Sequence, residues 1–205
     1  MKVATVSVLF ALLILGQAGL SQDYLTNRSQ TKGLSGAVTM GYLSYTSDKL
    51  HQEAQGGWGF GLNLEYGLTH RLAFDLSFQR FSVNSGSSLV ENSPYPFYEL
   101  ELAGKFYFAG SDQRLRPYLG FGVNYSRQNE EFYDELDNYN DVVYNGFAVL
   151  GRGGVGFYPS ENWRIEGDFC FDIGSFSNIL INRDPVEDSY SFYAWKTRMG
   201  IRYFF

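Results

Sequence analysis

No stretch of this 205-residue sequence is apolar for long enough to cross a bilayer as a helix. A spanning helix needs about 20 consecutive apolar residues, and the longest run, Val3 to Leu15, falls well short. Cysteine is nearly absent: Cys170 alone can form neither an internal disulfide nor a thiolate metal cluster. Histidine is limited to two residues, and cations are outnumbered, with 16 Lys and Arg against 22 Asp and Glu. The net charge of −6, without a basic stripe, argues against nucleic acid as a partner. No Pro/Ser-rich linker divides the chain, so one domain is expected.

The short apolar run has another reading. Lys2 supplies a positive start, Val3 to Leu15 the apolar centre, and Gly16 to Ser21 are small or polar. This is the layout of a secretory signal peptide. It is expected over residues 1–21, with a cut after Ser21 or, less far along, after Ala18. Residues 22–205 then form the mature domain, and loss of Lys2 takes the charge from −6 to −7. The Asn27-Arg-Ser29 sequon in this leader-proximal segment is read as chance.

What the sequence has in quantity is dyad alternation, the mark of strands with one apolar face. Trp58, Phe60, Leu62, Leu64, Tyr66 and Leu68 oppose Gly57, Gly59, Gly61, Asn63, Glu65 and Gly67. Leu72 to Gln79, Tyr98 to Phe108, Trp163 to Ile173 and Tyr193 to Phe205 repeat the pattern. Three more segments, around Val38, Val123 and Val149, show it with more glycine. Eight amphipathic strands are predicted. The connections alternate: Thr69–Arg71, Ala109–Arg114 and Pro159–Asn162 are short, whereas Ser47–Gly56, Ser82–Phe97, Arg127–Asn145 and Gly174–Phe192 are long. Outer-membrane barrels have short periplasmic turns and longer outer loops, so both termini are expected in the periplasm.

Alternation does not say which face points inward, but volume does. An eight-stranded barrel has an interior only just wide enough for side chains to fill, and the apolar faces carry too many large residues to fit there. They must face lipid, while glycines, serines, alanines and charges face the lumen. Aromatic residues gather at two levels, Tyr42, Trp58, Phe78, Tyr98, Tyr125 and Trp195 at one, Tyr66, Phe108, Trp163 and Tyr203 at the other. Two such girdles are what membrane interfaces select. The predicted fold is all-β, an eight-stranded antiparallel up-and-down transmembrane barrel.

The last strand, Trp195 to Phe205, and the segment Leu115 to Tyr125 carry a family resemblance. The chain resembles the small outer-membrane β-barrel family that includes opacity proteins, OmpX and the transmembrane domain of OmpA. The likeness spans about Leu34 to Phe205 and implies location in the outer membrane of a Gram-negative bacterium, with lipid as surroundings. Tyr203 and Phe205 resemble the signal read by the outer-membrane assembly machinery, which the resemblance implies as a partner. The chain stops at the eighth strand, so a periplasmic peptidoglycan-binding domain is not implied.

The lumen-facing charges are Glu65, Asp75, Glu99, Glu101, Glu166, Asp168 and Asp172 against Lys105, Arg152, Arg164, Lys196, Arg198 and Arg202. Buried charges are costly unless paired, so near-balance predicts a cross-lumen salt-bridge network that plugs the barrel. Gly151-Arg-Gly-Gly-Val-Gly156 spells a dinucleotide fingerprint, but Pro159 stands where that motif needs a helix. Glu99 and Glu101 share a face without the cleft a glycosidase requires. Cys170, between Asp168 and Asp172, is expected to be unreactive.

No catalytic, cofactor or metal site is predicted. The leading function is a non-enzymatic surface protein displaying four loops for adhesion, recognition or envelope integrity, with an extracellular partner held through the loops. One alternative is a lipid-modifying enzyme built on His51 with Ser85, Ser87 or Ser88, the other histidine, His70, lying in a short turn. The other alternative is a narrow solute channel. Within the third long connection, Glu130, Glu131, Tyr133, Asp134, Glu135, Asp137 and Tyr139 are the candidate interaction residues, combining carboxylates with rigid amphipathic rings.

Overall fold

The computed structural model describes residues 31–48, 51–84, 94–133 and 139–205. The expected signal peptide, Ser85, Ser87, Ser88, Asp134, Glu135 and Asp137 lie outside the described residues, as do the side chains of His51, Tyr133 and Tyr139. Nine strands form among the described residues: β1 (Gly33–Ser47), β2 (His51–Gly67), β3 (Leu72–Asn84), β4 (Tyr95–Tyr107), β5 (Leu115–Tyr133), β6 (Tyr139–Phe157), β7 (Trp163–Ile181), β8 (Asp184–Val186) and β9 (Tyr190–Phe204). Each of β1 to β7 pairs antiparallel with its successor, β7 pairs with β9, and β9 returns to β1. The closed ring therefore has eight strands, with β8 a short addition at the edge of β7. Closure leaves no open edge along the ring, which a β-structure in lipid requires.

Side chains alternate as the sequence predicts. Along β3 every second residue is exposed, including Leu72, Phe74, Leu76 and Phe78, while Ala73, Asp75, Ser77 and Gln79 are buried. The aromatic levels are also in place outside. Tyr42 contacts Trp58 and Trp195 at 5.4 and 5.8 Å, and Trp163 contacts Tyr203 at 5.0 Å.

Three of the expected long connections are instead strands for much of their length. β5 and β6 stay in register from Arg127↔Asn145 to Tyr133↔Tyr139. β7 reaches Ile181, turns back through Asn182 and Arg183, and returns as β8. Both turn residues have positive φ, 52° and 75°, as a two-residue type I′ hairpin requires. β2 begins at His51, the register partner of Ser47. Sequence alternation misses these extensions because it tracks an apolar outer face, whereas a hydrogen-bond ladder persists where both sides of the strand meet water or protein.

Above the upper aromatic level, the identity of the two faces inverts. Side-chain direction keeps its period of two, but the apolar residues change sides. On β1, Val38, Met40 and Tyr42 point outward, whereas Leu43 and Tyr45 are buried. On β3, Phe78 is outward, and Phe81 and Val83 are buried. On β7, Ile173 is outward and Phe176 buried, with Ile179 buried beyond an irregularity in the β6–β7 register. On β9, Phe192 is buried and Tyr193 outward. The interior of this raised part is an apolar cluster that includes Leu43, Tyr45, Phe81, Phe97, Tyr144, Phe176 and Phe192. The lower barrel is patterned for lipid outside and the raised part for water outside.

Candidate functional site

The polar interior starts at the short-turn end. Arg164 on β7 reaches across to Glu65 on β2 with both terminal nitrogens, at 2.9 and 2.8 Å, and to Glu166 at 2.6 Å. Its Nη1 also donates to the hydroxyls of Tyr107 and Tyr158. Lys105 bridges Glu65 and Asp75 at 2.9 and 3.1 Å. Asp75 is shared further by Arg152 at 2.8 Å and Arg202 at 3.2 Å, and Arg202 returns to Glu166 at 2.9 Å. One tier up, Glu101 receives Arg152, Lys196 and Arg198, and Arg198 Nε donates to Asp168 at 2.8 Å. The thirteen lumen residues expected from β2, β3, β4, β6, β7 and β9 thus converge on one network.

The strands supply this geometry directly. Asp75↔Glu65 and Asp168↔Arg198 are register partners, but most bonds span the lumen between strands that do not pair, such as Arg152 on β6 with Asp75 on β3. Long cationic side chains do the spanning, and inward glycines make room. A Cβ on Gly154 would lie 2.6 Å from the Tyr118 ring and 2.7 Å from the Gly167 carbonyl. Gly151 to Gly156 is therefore a stretch of β6 wall with no helix after it, not a nucleotide loop.

At the upper end of the network the oxygens of Glu99, Glu101 and Asp172 lie within 4.8 Å of one another, an arrangement able to hold a metal ion. Lys196 Nζ stands among them at 2.9, 2.6 and 2.7 Å. Its ammonium supplies the positive charge that converging carboxylates need, tethered to β9. Asn124 Nδ2 donates to Glu99 and Asp172 at 2.7 and 2.9 Å. Cys170 is buried beside Arg198 and Asp168, at 3.0 and 3.4 Å.

Sequence reasoning overlooked Arg116, Tyr107, Tyr118 and Tyr158. Arg116 is fully buried, lies over the rings of Tyr107 and Tyr158 at 4.8 and 5.4 Å, and donates to the His70 carbonyl. Counting it, the lower barrel's inward carboxylates among the described residues, Glu65, Asp75, Glu99, Glu101, Glu166, Asp168 and Asp172, meet an equal seven cations, Lys105, Arg116, Arg152, Arg164, Lys196, Arg198 and Arg202. The signal was available: extending the β5 alternation back from Leu119 through Pro117 puts Tyr118 and Arg116 inside. Its place beside a turn and a proline hid it.

Above the network, Tyr45 donates to Gln128 at 2.8 Å, and Gln128 to Glu130 at 2.6 Å. Phe176 stacks on Phe192 at 4.5 Å. Of the residues expected to interact outside, Glu130 is half-buried against the top of this cluster and Glu131 is exposed on β5. Asp141, Asp184, Glu187 and Asp188 add carboxylates on β6 and around β8. At the end of the chain, Phe205 is exposed and meets Tyr203 edge-on at 5.5 Å.

The model of the outer membrane protein beta-barrel domain family matches residues 8–204. Among solved structures, the chain is similar to Neisserial surface protein A, at 14% identity and TM-score 0.62, covering 85% of this chain and 98% of that one. It is similar to OprG of Pseudomonas aeruginosa (14%, 0.55, 86% and 97%) and to Ail, the attachment invasion locus protein of Yersinia pestis (14%, 0.51, 84% and 99%). At these identities the likeness is one of fold. No curated protein matches in sequence.

Proposed function

The chain belongs to the outer membrane protein beta-barrel domain family and resides in the outer membrane of a Gram-negative bacterium; from that premise we propose a non-enzymatic, non-conducting surface protein. In this reading the short-turn end and both termini face the periplasm, and the raised β5–β8 wall faces outward to meet a cationic partner. The observation that carries it is the double filling of the interior. Ion pairs occupy the lower barrel and packed rings the upper, leaving the raised wall as the surface available to a partner. That wall bears Glu130, Glu131, Asp141, Asp184, Glu187 and Asp188 against Arg127 and Arg183 among its described residues. Opposite charge at a rigid edge steers and selects binding partners. The terminal Tyr203 to Phe205 segment serves as the address for the assembly machinery.

Replacing residues 130–140 with a short Gly/Ser linker tests the reading, because the ladder up to Gln128↔Tyr144 remains. The expected variant folds, and loses the salt-sensitive retention on polylysine surfaces that the parent shows. Equal retention of both proteins would remove the raised wall from the proposal. Planar-bilayer recordings test the closed interior: a stable, large open state in the parent would show that the charged side chains line a pore.

A further inference from the structure

Two arginines stand on the outside of the barrel where its surface changes character. Arg80 on β3 pairs with Tyr98 on β4, and Tyr98 pairs with Arg127 on β5. The same cross-strand row continues to Phe60 and Met40 on one side and to Asn145 on the other. Barrel strands tilt by 35–45°, so such a row climbs about 3 Å with each strand crossed. This one leaves the apolar belt, passes the two guanidinium groups and enters the polar raised wall. The outward residues along β5 give the same order, Val123, Tyr125, Arg127, Asn129 and Glu131, as do Leu76, Phe78, Arg80 and Ser82 along β3.

The row coincides with the inversion of the faces: Phe78 is the last outward apolar residue of β3, and Phe81 the first large apolar residue to point inward. That boundary marks the headgroup layer independently of the arginines. Arg80 and Arg127 are exposed, and they are the only cations on the outward faces of the barrel strands among the described residues. Neither forms a salt bridge among those residues. Both are nonetheless held. The Arg80 guanidinium lies over the Tyr98 ring at 5.9 Å, that ring stacks on Phe78 at 6.3 Å, and Arg127 Nε donates to Asn129 at 3.2 Å.

We propose that Arg80, Tyr98 and Arg127 form a binding site for a phosphorylated glycolipid headgroup of the outer leaflet. Guanidinium groups bind phosphate through paired N–H donors in a fixed fork. Their Cα atoms are two strand spacings apart, about 10 Å, so each can hold a phosphate of its own with Tyr98 packed between. A diphosphorylated headgroup, as in the lipid A part of lipopolysaccharide, is the chemical class that fits. The acidic wall above repels the same headgroup, which confines it to this level.

The leaflet follows from the orientation proposed above, but binding in detergent does not depend on it. Native mass spectrometry of the folded protein in micelles, supplied with diphosphoryl lipid A, monophosphoryl lipid A or phosphatidylcholine, is the test. The parent should retain diphosphoryl lipid A, and Arg80→Gln with Arg127→Gln should weaken retention by about tenfold or more, from the loss of charge-assisted bonds. Each single variant and the monophosphoryl lipid should fall between. Lys32→Gln with Arg71→Gln, which removes equal charge at the opposite rim, should change nothing, and Tyr98→Leu supplies a second, uncharged disruption. Undiminished retention by the double arginine variant would overturn the site. Equal retention of phosphatidylcholine would reduce it to a general lipid contact, and displacement of lipid A by millimolar inorganic phosphate would make it a soluble-anion site; either result overturns the proposal.

Discussion

The lower and upper halves of the barrel interior solve one problem with opposite materials. Below the upper aromatic level the outside is apolar, and the inside is a lattice of ion pairs in which Asp75 and Glu101 each receive three cations. Above it the outside is polar and the inside is Phe81, Phe97, Phe176 and Phe192. The same eight strands run through both. Nothing in backbone direction changes at the boundary, so the difference teaches that the surrounding solvent decides which parity of residues is apolar. In lipid there is no hydrophobic gain from packing apolar groups inward, and the lumen is left to charged groups that satisfy one another. In water the ordinary arrangement returns.

The comparison can be broken most severely from the lower side. Lys196→Met should strand Glu99 and Asp172 without a cation, costing about 3–5 kcal/mol, as removal of one partner from a buried ion pair does. Urea unfolding of the refolded variant in detergent measures this, and an unchanged midpoint would show hydrated carboxylates rather than a dry network. From the upper side, Phe176→Ala removes a ring stacked on Phe192, with an expected loss of about 3 kcal/mol in the same measurement. A smaller pair of changes probes the boundary itself. Leu76→Ser, outward on β3 below it, should cost about 1–2 kcal/mol of contact with the apolar surroundings. Ser82→Leu, outward on the same strand above it, should stay within about 0.5 kcal/mol. Equal effects would mean that the boundary is misplaced. Smallest in stability is Phe205→Ser, since this ring is 69% exposed. Its expected signature is less assembled barrel in cells, with an unfolding midpoint close to that of the parent.

The lower half was legible in the sequence because lipid outside and charge inside give the cleanest alternation a strand can carry. Strand count, the facing of Glu65 or Arg198, and the two aromatic levels all follow from it. The upper half was not, because Arg127, Asn129 and Glu131 on β5 and Asp141 and Asn145 on β6 put polar residues on the outward parity, a pattern shared with exposed loops. Inversion of the faces also defeats any count that assumes one apolar parity per strand: Phe81, Phe97 and Phe176 fall out of phase with their own strands. Pairings across the lumen, such as Lys105 with Glu65, depend on barrel shear and side-chain reach, which no single strand records.

β9 closes the barrel electrically as well as mechanically. This strand contributes Lys196, Arg198 and Arg202, three of the seven inward cations among the described residues, and pairs with both β7 and β1. A chain lacking it would hold seven carboxylates against four cations, a deficit of three charges inside an unsealed ladder. Charge neutrality and hydrogen-bond closure therefore arrive together, when this one strand docks between β7 and β1. A barrel left open at this seam is marked twice, by unpaired ladder groups and by carboxylates without cations, so the step that seals the wall also neutralises the interior.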